Sequence, residues 1–186
     1  MMRTSPFVVG HRASHATIAE TTNMIRRSGG NVDDDDEDNE GDEEFVDPYS
    51  DRARLDLLNF YETHDIVGTA ALDADAAYDK LIRLTERVLM WNERLNLISR
   101  RDCDARVIYH KHVLPSVALL PLILEGMKDA NECDVIDVGT GGGFPGLPLA
   151  MLLPTVRFTL VDLVRKKQVA ISDMSAYSDQ GTFTKS

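Results

Sequence analysis

A glycine-rich turn, Gly139 to Gly146, constrains the fold of this chain more than any other stretch. A short apolar run, Val135 to Val138, leads into the turn, and a helix-like apolar segment follows it. A second apolar run, Val156 to Val161, then ends at Asp162. A strand, a turn, a helix and a second strand with an acid at its tip make up the first βαβ unit of a Rossmann-like sheet. The sequence therefore predicts an α/β fold that holds a nucleoside cofactor at the turn.

Glycine suits this turn for two physical reasons. It lets the backbone take positive φ, and it lets a ligand approach without a Cβ in the way. The helix after the turn is expected to point its free N–H groups and positive dipole end at the bound group, with Pro145 in its first turn. A plain turn without a ligand is the alternative, but five glycines within eight positions would be an unfavourable way to build one.

Two kinds of cofactor fit the spacing. Gly141, Gly143 and Gly146 satisfy the GxGxxG pattern of dinucleotide-binding proteins. Asp137-x-Gly139-x-Gly141-x-Gly143 is the pattern of S-adenosylmethionine-dependent methyltransferases, in which no pyrophosphate needs neutralising. Both ligands use the same βαβ geometry, so spacing alone leaves the two open.

Asp162 is the second signal for a nucleoside. A carboxylate at the tip of the second strand can accept hydrogen bonds from both ribose hydroxyls. The alternative is a helix N-cap, because Lys166 and Lys167 lie in a segment that is predicted to be helical. With the glycine turn upstream, we favour the ribose role.

The acidity of the chain is confined to one tract. The net charge of the 186 residues is −11, but residues 33–44 hold ten acids and no base. Without that tract 21 acids face 20 bases, so the rest of the chain carries little net charge. The carboxylates repel one another and no apolar side chain lies among them, which predicts a solvated linker.

The first thirty residues differ from that tract. Residues 1–30 contain four arginines, many serines and threonines, and one glutamate. This composition suits an organelle transit peptide, and a plain unfolded N-terminus is the alternative. We therefore expect residues 1–50 to be disordered, and the protein to act in the cytoplasm or, after import, in a mitochondrion or plastid.

Residues 51–126 are expected to form a helical N-terminal part. Leu55 to Tyr61 predict a short helix, and apolar residues at three- and four-residue steps predict a longer one from about Asp75 to Leu97. Asp73 and Asp75 are both N-cap candidates, because a carboxylate accepts a hydrogen bond from the first free N–H groups of a helix.

Two further helices are predicted toward the end of this part. One covers Ala105 to Leu114, and Pro115 is expected to end or kink it because proline has no N–H. The other covers Leu119 to Gly126, since glycine is a frequent helix stop.

Cysteine, histidine and apolar patterns argue against several kinds of site. Cys103 and Cys133 lie thirty positions apart and form no CxxC pair, so reduced thiols are expected. His110 and His112 are expected on different faces of a helix, so we predict no shared metal. No run of 18 apolar residues occurs, and we predict no membrane span.

A cluster of bases lies between positions 83 and 111. It suits contact with RNA phosphates, and ordinary helix faces with paired charges are the favoured alternative. Trp91, in the same stretch, is interpreted as a core anchor rather than a base-stacking platform. The stretch holds four acids and seven bases, namely Arg83, Arg87, Arg94, Arg100, Arg101, Arg106 and Lys111.

Three ordered motifs together resemble one known family. The first runs from Val138 to Ala150 and continues to Phe158-Thr-Leu-Val-Asp162. The second is Leu89-Met-Trp-Asn-Glu-Arg-Leu-Asn-Leu-Ile-Ser99, and the third is Tyr109-His-Lys-His-Val-Leu-Pro-Ser116. They closely resemble the bacterial small-subunit ribosomal RNA guanine-N7 methyltransferases, the glucose-inhibited division protein B family.

The resemblance implies S-adenosylmethionine as the cofactor and guanine N7 of small-subunit ribosomal RNA as the target. Methyl transfer to that nitrogen rests mainly on positioning, so we name no general base. Gly139 and Phe144 are implied as direct cofactor contacts, and Asp162 is implied near the ribose. The full set implied by the resemblance is Gly139, Thr140, Gly141, Gly143, Phe144 and Asp162.

Two departures from the family pattern matter. Pro115 stands where the family usually has an aspartate before Ser116, and the resemblance fades after about Ala170. Residues 132–176 are therefore expected to form an incomplete methyltransferase domain, with 177–186 as a disordered tail. A sheet of this type needs further strands, so we expect weak or absent cofactor binding and reduced or no activity from this chain.

Two other functions stay open from the residues alone. GxGxxG also suits a fragment of an NAD-type oxidoreductase. A non-catalytic homologue that binds RNA or a protein partner through its helical part is the third reading.

Overall fold

A computed structural model describes residues 45–128 and 133–176 of the chain. Two helices open the described part, α1 (Asp51–Thr63) and α2 (Ala74–Asn92). Both begin at side-chain caps: Ser50 accepts from the Ala53 N–H, and Asp73 accepts from the Ala76 N–H at 2.9 Å. Of the two predicted N-caps Asp73 is confirmed. The predictions for residues 1–44 and 177–186 lie outside the described residues.

Helix α2 ends at Asn92, so its predicted end at Leu97 is wrong. The Asn92 side chain replaces the helical bonds that would otherwise continue. Its Oδ1 accepts hydrogen bonds from the N–H groups of Leu97 at 2.9 Å and Ile98 at 3.1 Å, and so folds the chain back. A short 3₁₀ turn, Arg100–Asp102, follows this bend.

The segment Ala105–Met127 is helical but not uniform. It contains α3 (Ala105–Ile108), a wide π-helical turn (Tyr109–Val113), α4 (Leu114–Val117) and α5 (Leu120–Met127). Of the two predicted effects of Pro115, ending the helix does not occur, because Pro115 occupies the first turn of α4, where no N–H is needed. The distortion lies just before it instead. Helix α5 also runs one residue past Gly126.

By length and composition alone, the segment Ala105–Met127 is long and apolar enough to cross a membrane. Many of its apolar side chains are buried inside the protein, however. Those that lie in the hydrophobic core are Ile108, Tyr109, Val113, Val117, Leu120 and Ile123.

The C-terminal half is a βαβ unit followed by a helix. Its elements are β1 (Asp134–Val138), α6 (Gly146–Leu152), β2 (Arg157–Val161) and α7 (Arg165–Ala176). The two strands pair in parallel, from Asp134 opposite Arg157 to Val138 opposite Val161. Arg157 donates two hydrogen bonds to Asp134 across the first pair, at 2.6 and 2.9 Å. The predicted parallel pairing is confirmed; β1 begins one residue before the apolar run that starts at Val135, and β2 begins one residue after the start of the run at Val156.

Helix α6 joins the two halves of the described chain. Every residue from Gly146 to Leu152 is buried. The helix packs against β2 on one side and against α2 and α4 on the other, and α7 also packs against α2. The helical part and the βαβ unit therefore share one hydrophobic core. This shared core fixes the glycine turn relative to α2 and the π-helical turn.

Candidate functional site

The turn between β1 and α6 has the backbone that its glycines predict. Gly139, Gly141 and Gly143 have φ angles of 80°, 60° and 97°. These values lie in the left-handed region, which side chains with a Cβ rarely adopt. A Cβ built on Gly139 would meet no atom within 4 Å, so open space lies beside that residue. The turn thus leaves room for a ligand at its exposed start.

Backbone N–H groups of the turn are engaged within the protein. Gly139 and Thr140 donate to the Val161 carbonyl at 2.8 and 3.2 Å. Gly143 and Phe144 donate to the Thr140 carbonyl at 2.8 and 3.0 Å. A loop that binds pyrophosphate needs such N–H groups to face the phosphates. The hydrogen bonds of this turn therefore disfavour a dinucleotide.

Asp162 connects the tip of β2 to two other segments. Its Oδ2 accepts from the Gly141 N–H at 2.9 Å, and its Oδ1 accepts from the Val164 N–H at 2.7 Å. Its carbonyl accepts from the Gln168 side chain at 2.6 Å. The carboxylate thus fixes the segment that precedes α7 and also holds the glycine turn, but Asp162 is not the N-cap of α7, because the helix begins three residues later at Arg165.

Asp137, on β1, faces the start of α6. Its Oδ2 accepts from the Gly146 N–H at 2.9 Å. Burial raises the pKa of the Asp137 carboxyl, while the Thr140 hydroxyl and the Gly146 N–H act in the opposite direction. Because Gly146 is the first residue of α6 and donates to Asp137, the expectation that this N–H faces a ligand is wrong. Pro145 precedes the helix and does not lie in its first turn.

Close packing requires glycine at position 146. A Cβ there would lie 2.5 Å from Leu160 Cδ2 and 2.7 Å from Asp137 Oδ2. Such distances do not occur between real atoms without displacement. Gly146 therefore serves the approach of α6 to the sheet rather than ligand access.

The bend after α2 supports the turn from the other side. A Cβ on Gly142 would lie 3.2 Å from the Leu97 carbonyl oxygen, so this buried glycine packs closely on the bend. Asn92 holds the bend through its two hydrogen bonds. The sequence pattern places Asn92 on the apolar stripe of the predicted long helix and does not predict that its side chain holds a bend. A polar residue at the end of an apolar helical stripe was the available signal.

Phe144 closes the turn and contacts the π-helical turn. Its ring lies against the His112 imidazole, with 5.2 Å between the ring centroids and 33° between the planes. Phe144 is half-buried. Thr140, whose carbonyl accepts a hydrogen bond from the Phe144 N–H, is buried. His112 was considered only as a metal ligand from the sequence, so its contact with Phe144 was missed.

Trp91 anchors α2 to α7. Its indole N–H donates to Asp173 Oδ2 at 2.9 Å, and Arg87 lies 3.9 Å from the same oxygen. The ring is half-buried and packs against the hydrophobic core. These contacts agree with the interpretation of Trp91 as a core anchor.

Several bases of the stretch 83–111 have local partners. Arg106 pairs with Asp104 at 3.4 Å, and Arg100 donates to the Asn96 side chain at 3.2 Å. Arg94, Arg100 and Arg101 are exposed and flank the bend that touches Gly142. Exposed arginines therefore flank the segment that packs on the glycine turn.

The two histidines of the π-helical turn have different surroundings. His110 Nε2 lies 3.0 Å from the Val46 carbonyl oxygen, and the His110 ring stacks on Phe45 with centroids 5.0 Å apart. His112 instead faces Phe144. Over residues 45–128 and 133–176, no group of three or more histidine, cysteine or acidic residues is arranged to hold a metal ion.

Comparisons with known proteins all identify the same family. Residues 77–179, more than half of the chain, match the model of the GidB family, described as rRNA small subunit methyltransferase G. The match continues past Ala170, where the resemblance was expected to fade. Among curated relatives of that name, the protein of Flavobacterium johnsoniae is 49% identical over 77 residues, which is 41% of this chain and 34% of the relative.

Two further relatives carry the same name. The protein of Cytophaga hutchinsonii is 41% identical over 86 residues, covering 46% of this chain and 39% of the relative. The protein of Acidiphilium cryptum is 40% identical over 91 residues, covering 47% of this chain and 40% of the relative. The chain thus spans about a third to two fifths of the length of the curated relatives it matches.

Proposed function

The chain belongs to the rRNA small subunit methyltransferase G family, and we propose that it forms the S-adenosylmethionine-binding part of an enzyme that methylates guanine N7 of small-subunit ribosomal RNA. Its two strands are then the first of a Rossmann-like sheet. The alternative, an NAD-type oxidoreductase, finds no support in the family match.

The hydrogen-bond pattern of the glycine turn carries this proposal. The turn presents the Asp162 carboxylate rather than free N–H groups, because Asp162 lies at the turn and the N–H groups of Gly139, Gly141 and Phe144 are bonded within the protein. Negative charge opposes a pyrophosphate and attracts the sulfonium and ammonium groups of S-adenosylmethionine. The residues of this chain therefore fit that cofactor better than a dinucleotide.

The cofactor supplies an activated methyl group when it is bound. Gly139 and Phe144 would contact it, since open space lies beside the first and the second closes the turn. Asp162 would lie near the ribose, with Thr140, Gly141 and Gly143 shaping the loop. Guanine N7 has a lone pair and no proton, so this chain needs only to position the reacting groups.

Ribosomal RNA is the proposed substrate, and exposed arginines beside the turn suit it. Arg94, Arg100 and Arg101 are exposed and flank the bend whose Leu97 carbonyl packs on Gly142, and guanidinium groups suit contact with RNA phosphates. The double variant R100A/R101A should weaken RNA binding and flatten its salt dependence, because each phosphate contact releases counterions. Arg52, on α1 and paired with Asp56, provides the control variant R52A. Equal effects of R52A and R100A/R101A would contradict this interface.

Cofactor choice is tested by NMR titration of the 15N-labelled chain. S-adenosylmethionine at millimolar concentration should shift the amide signals of Gly139, Gly141 and Gly143, and NADH should not. A chemical-shift titration at this concentration detects binding even when the affinity is low. Shifts with NADH alone, or none with either ligand, would overturn the cofactor assignment.

Guanine N7 methylation is tested on ribosomal RNA from cells in which the gene is deleted. Chemical cleavage at 7-methylguanine should reveal one position of small-subunit RNA that is methylated in the parent and unmethylated in the deletion strain. An unchanged cleavage pattern would reject the substrate.

The proposed compartment depends on residues 1–30, whose arginine-rich and acid-poor composition suits import into an organelle. The small-subunit RNA of that organelle would then be the substrate. A mature protein shortened near the acidic tract is the expected product on an immunoblot. A full-length protein confined to the cytosol would reject import.

A further inference from the structure

His112 lies on an irregular part of the helical segment. In the π-helical turn Tyr109–Val113, the Leu114 N–H donates to the Tyr109 carbonyl, five residues back. The His112 carbonyl accepts a hydrogen bond from the Ser116 hydroxyl at 2.6 Å. The donor is a side chain, so the missing N–H of the neighbouring Pro115 does not affect this bond. Turns of this kind occur often at functional sites because they displace a side chain from its regular helical position.

The displaced imidazole meets the glycine turn. Its ring lies 5.2 Å from the Phe144 ring, centroid to centroid. His112 Nε2 is buried, and Asp102 Oδ2 lies 3.8 Å from it, beyond hydrogen-bond distance. A buried nitrogen without a partner is unfavourable in both protonation states, and more so when charged. Burial therefore favours the neutral form of the imidazole that contacts Phe144.

Two charged groups act on this imidazole. Asp102, in the 3₁₀ turn, has a carboxylate oxygen 3.8 Å from His112 Nε2, and Lys111 is its neighbour in the π-helical turn. Burial lowers the pKa of His112, Asp102 raises it and Lys111 lowers it. A protonated imidazole would be attracted closer to the Asp102 carboxylate, because the ion pair offsets part of the cost of burying the charge.

We propose that His112 is a positioning residue for the cofactor loop, whose neutral imidazole holds the Phe144 ring at the place where it contacts S-adenosylmethionine. This inference rests on the proposed function for its ligand, but its structural part concerns the protein alone. His112 sets the position of Phe144, and acid weakens that hold by drawing the imidazole toward Asp102.

The test compares three variants of the full chain by NMR, first without ligand. H112A should shift the Phe144 ring signals and the amides of Gly139, Gly141 and Gly143. H112F keeps an aromatic ring and should restore them toward the wild type. H110A is the matched control, because His110 lies on the same π-helical turn and stacks on Phe45 instead.

A pH titration separates positioning from a purely structural role. Below about pH 6.5, the ordinary pKa of histidine, the loop amides and Phe144 ring of the wild type should move. H112F has no titrating group at this position, so its signals should stay constant over the same range. With S-adenosylmethionine, H112A should bind about two- to tenfold more weakly than H112F, the range that an aromatic contact contributes.

These measurements distinguish a failure of the role of His112 from a failure of the proposed cofactor. Loop shifts in H112A no larger than those in H110A, or an acid response that persists in H112F, would overturn the role of His112. If H112A does not fold, the comparison of the wild type with H112F decides the matter through the acid response. If the ligand-free results are as expected and S-adenosylmethionine shifts no signal of the wild type, the positioning role stands and the proposed cofactor is wrong.

Discussion

Asp162 accepts the Gly141 N–H at 2.9 Å and so joins the tip of β2 to the glycine turn across 21 residues. The other oxygen of the same carboxylate accepts the Val164 N–H at 2.7 Å. One side chain thus sets the position of the turn relative to α7. A carboxylate with both oxygens engaged still has lone pairs for further donors, which is what ribose hydroxyls require.

Replacing Asp162 should loosen the turn and destabilise the fold. D162A leaves the half-buried Gly141 N–H without its acceptor, which costs about 1–3 kcal/mol in the free energy of unfolding, whereas the exposed Val164 N–H can bond to water instead. D162N keeps one amide oxygen and should lose less. Urea unfolding measures both, with D79A as the control because Asp79 is exposed on α2. A D162A protein as stable as D79A would contradict the structural role of this carboxylate.

Gly139 and Gly68 form a matched pair for testing the cofactor site. Their φ angles are 80° and 78°, and a Cβ on either would meet no atom within 4 Å. Alanine in this backbone region costs roughly 1–2 kcal/mol, so G139A and G68A should lose similar stability. Only G139A should weaken the binding of S-adenosylmethionine, because its methyl group enters the space beside the turn. Equal binding by the two variants in calorimetry or NMR would place the cofactor elsewhere.

Asn92 should contribute strongly to stability through the bend that its side chain holds. Its Oδ1 accepts two N–H groups, and N92A leaves both buried and unpaired at a cost of about 1–3 kcal/mol each. Asn96 is exposed four residues later, and N96A should change the free energy of unfolding by less than about 0.5 kcal/mol. The difference between the variants in urea unfolding checks the prediction, and equal stabilities would refute it.

The effect of N92A should also reach the glycine turn. The bend that Asn92 holds lies against Gly142, so its displacement should shift the amide signals of the turn. N96A supplies the baseline for that comparison. Turn signals that stay unchanged in N92A would show that the bend and the turn are independent.

The sheet and its turn were predictable because their signals are local. Val135 to Val138 and Val156 to Val161 are short apolar runs, and the glycines between them satisfy a backbone requirement that can be stated residue by residue. Parallel pairing follows because a single helix connects the two strands. The N-cap at Asp73 is equally local, since its acceptor lies three residues from its donor.

The end of α2 and the surroundings of His112 were not predictable in this way. An apolar stripe continues past Asn92 to Leu95, and only the direction of one amide group decides that the helix stops. The contact between His112 and Phe144 joins residues 32 positions apart in the chain and depends on how α6 packs against α4. Such contacts follow from the shared core and leave no pattern in a single sequence.

Asp137 gives the site a pH dependence that can be measured as stability. Burial raises the pKa of this carboxyl above its ordinary value of 3.8, so the folded state favours the protonated form. The contribution of Asp137 to stability is therefore fully present below pH 3.8 and is lost as the pH rises through the folded-state pKa. At neutral pH the buried charge destabilises the fold.

D137N should reverse that loss, since its amide oxygen can still accept the Gly146 N–H and carries no charge. The free energy of unfolding of D137N should exceed that of the wild type at neutral pH, and the difference should shrink toward pH 4. D134N is the control on the same strand, because Asp134 is paired with Arg157 and its replacement should lower stability at neutral pH. A D137N protein whose advantage is absent, or grows in acid, would show that the Asp137 carboxylate is better solvated than its burial against α6 implies.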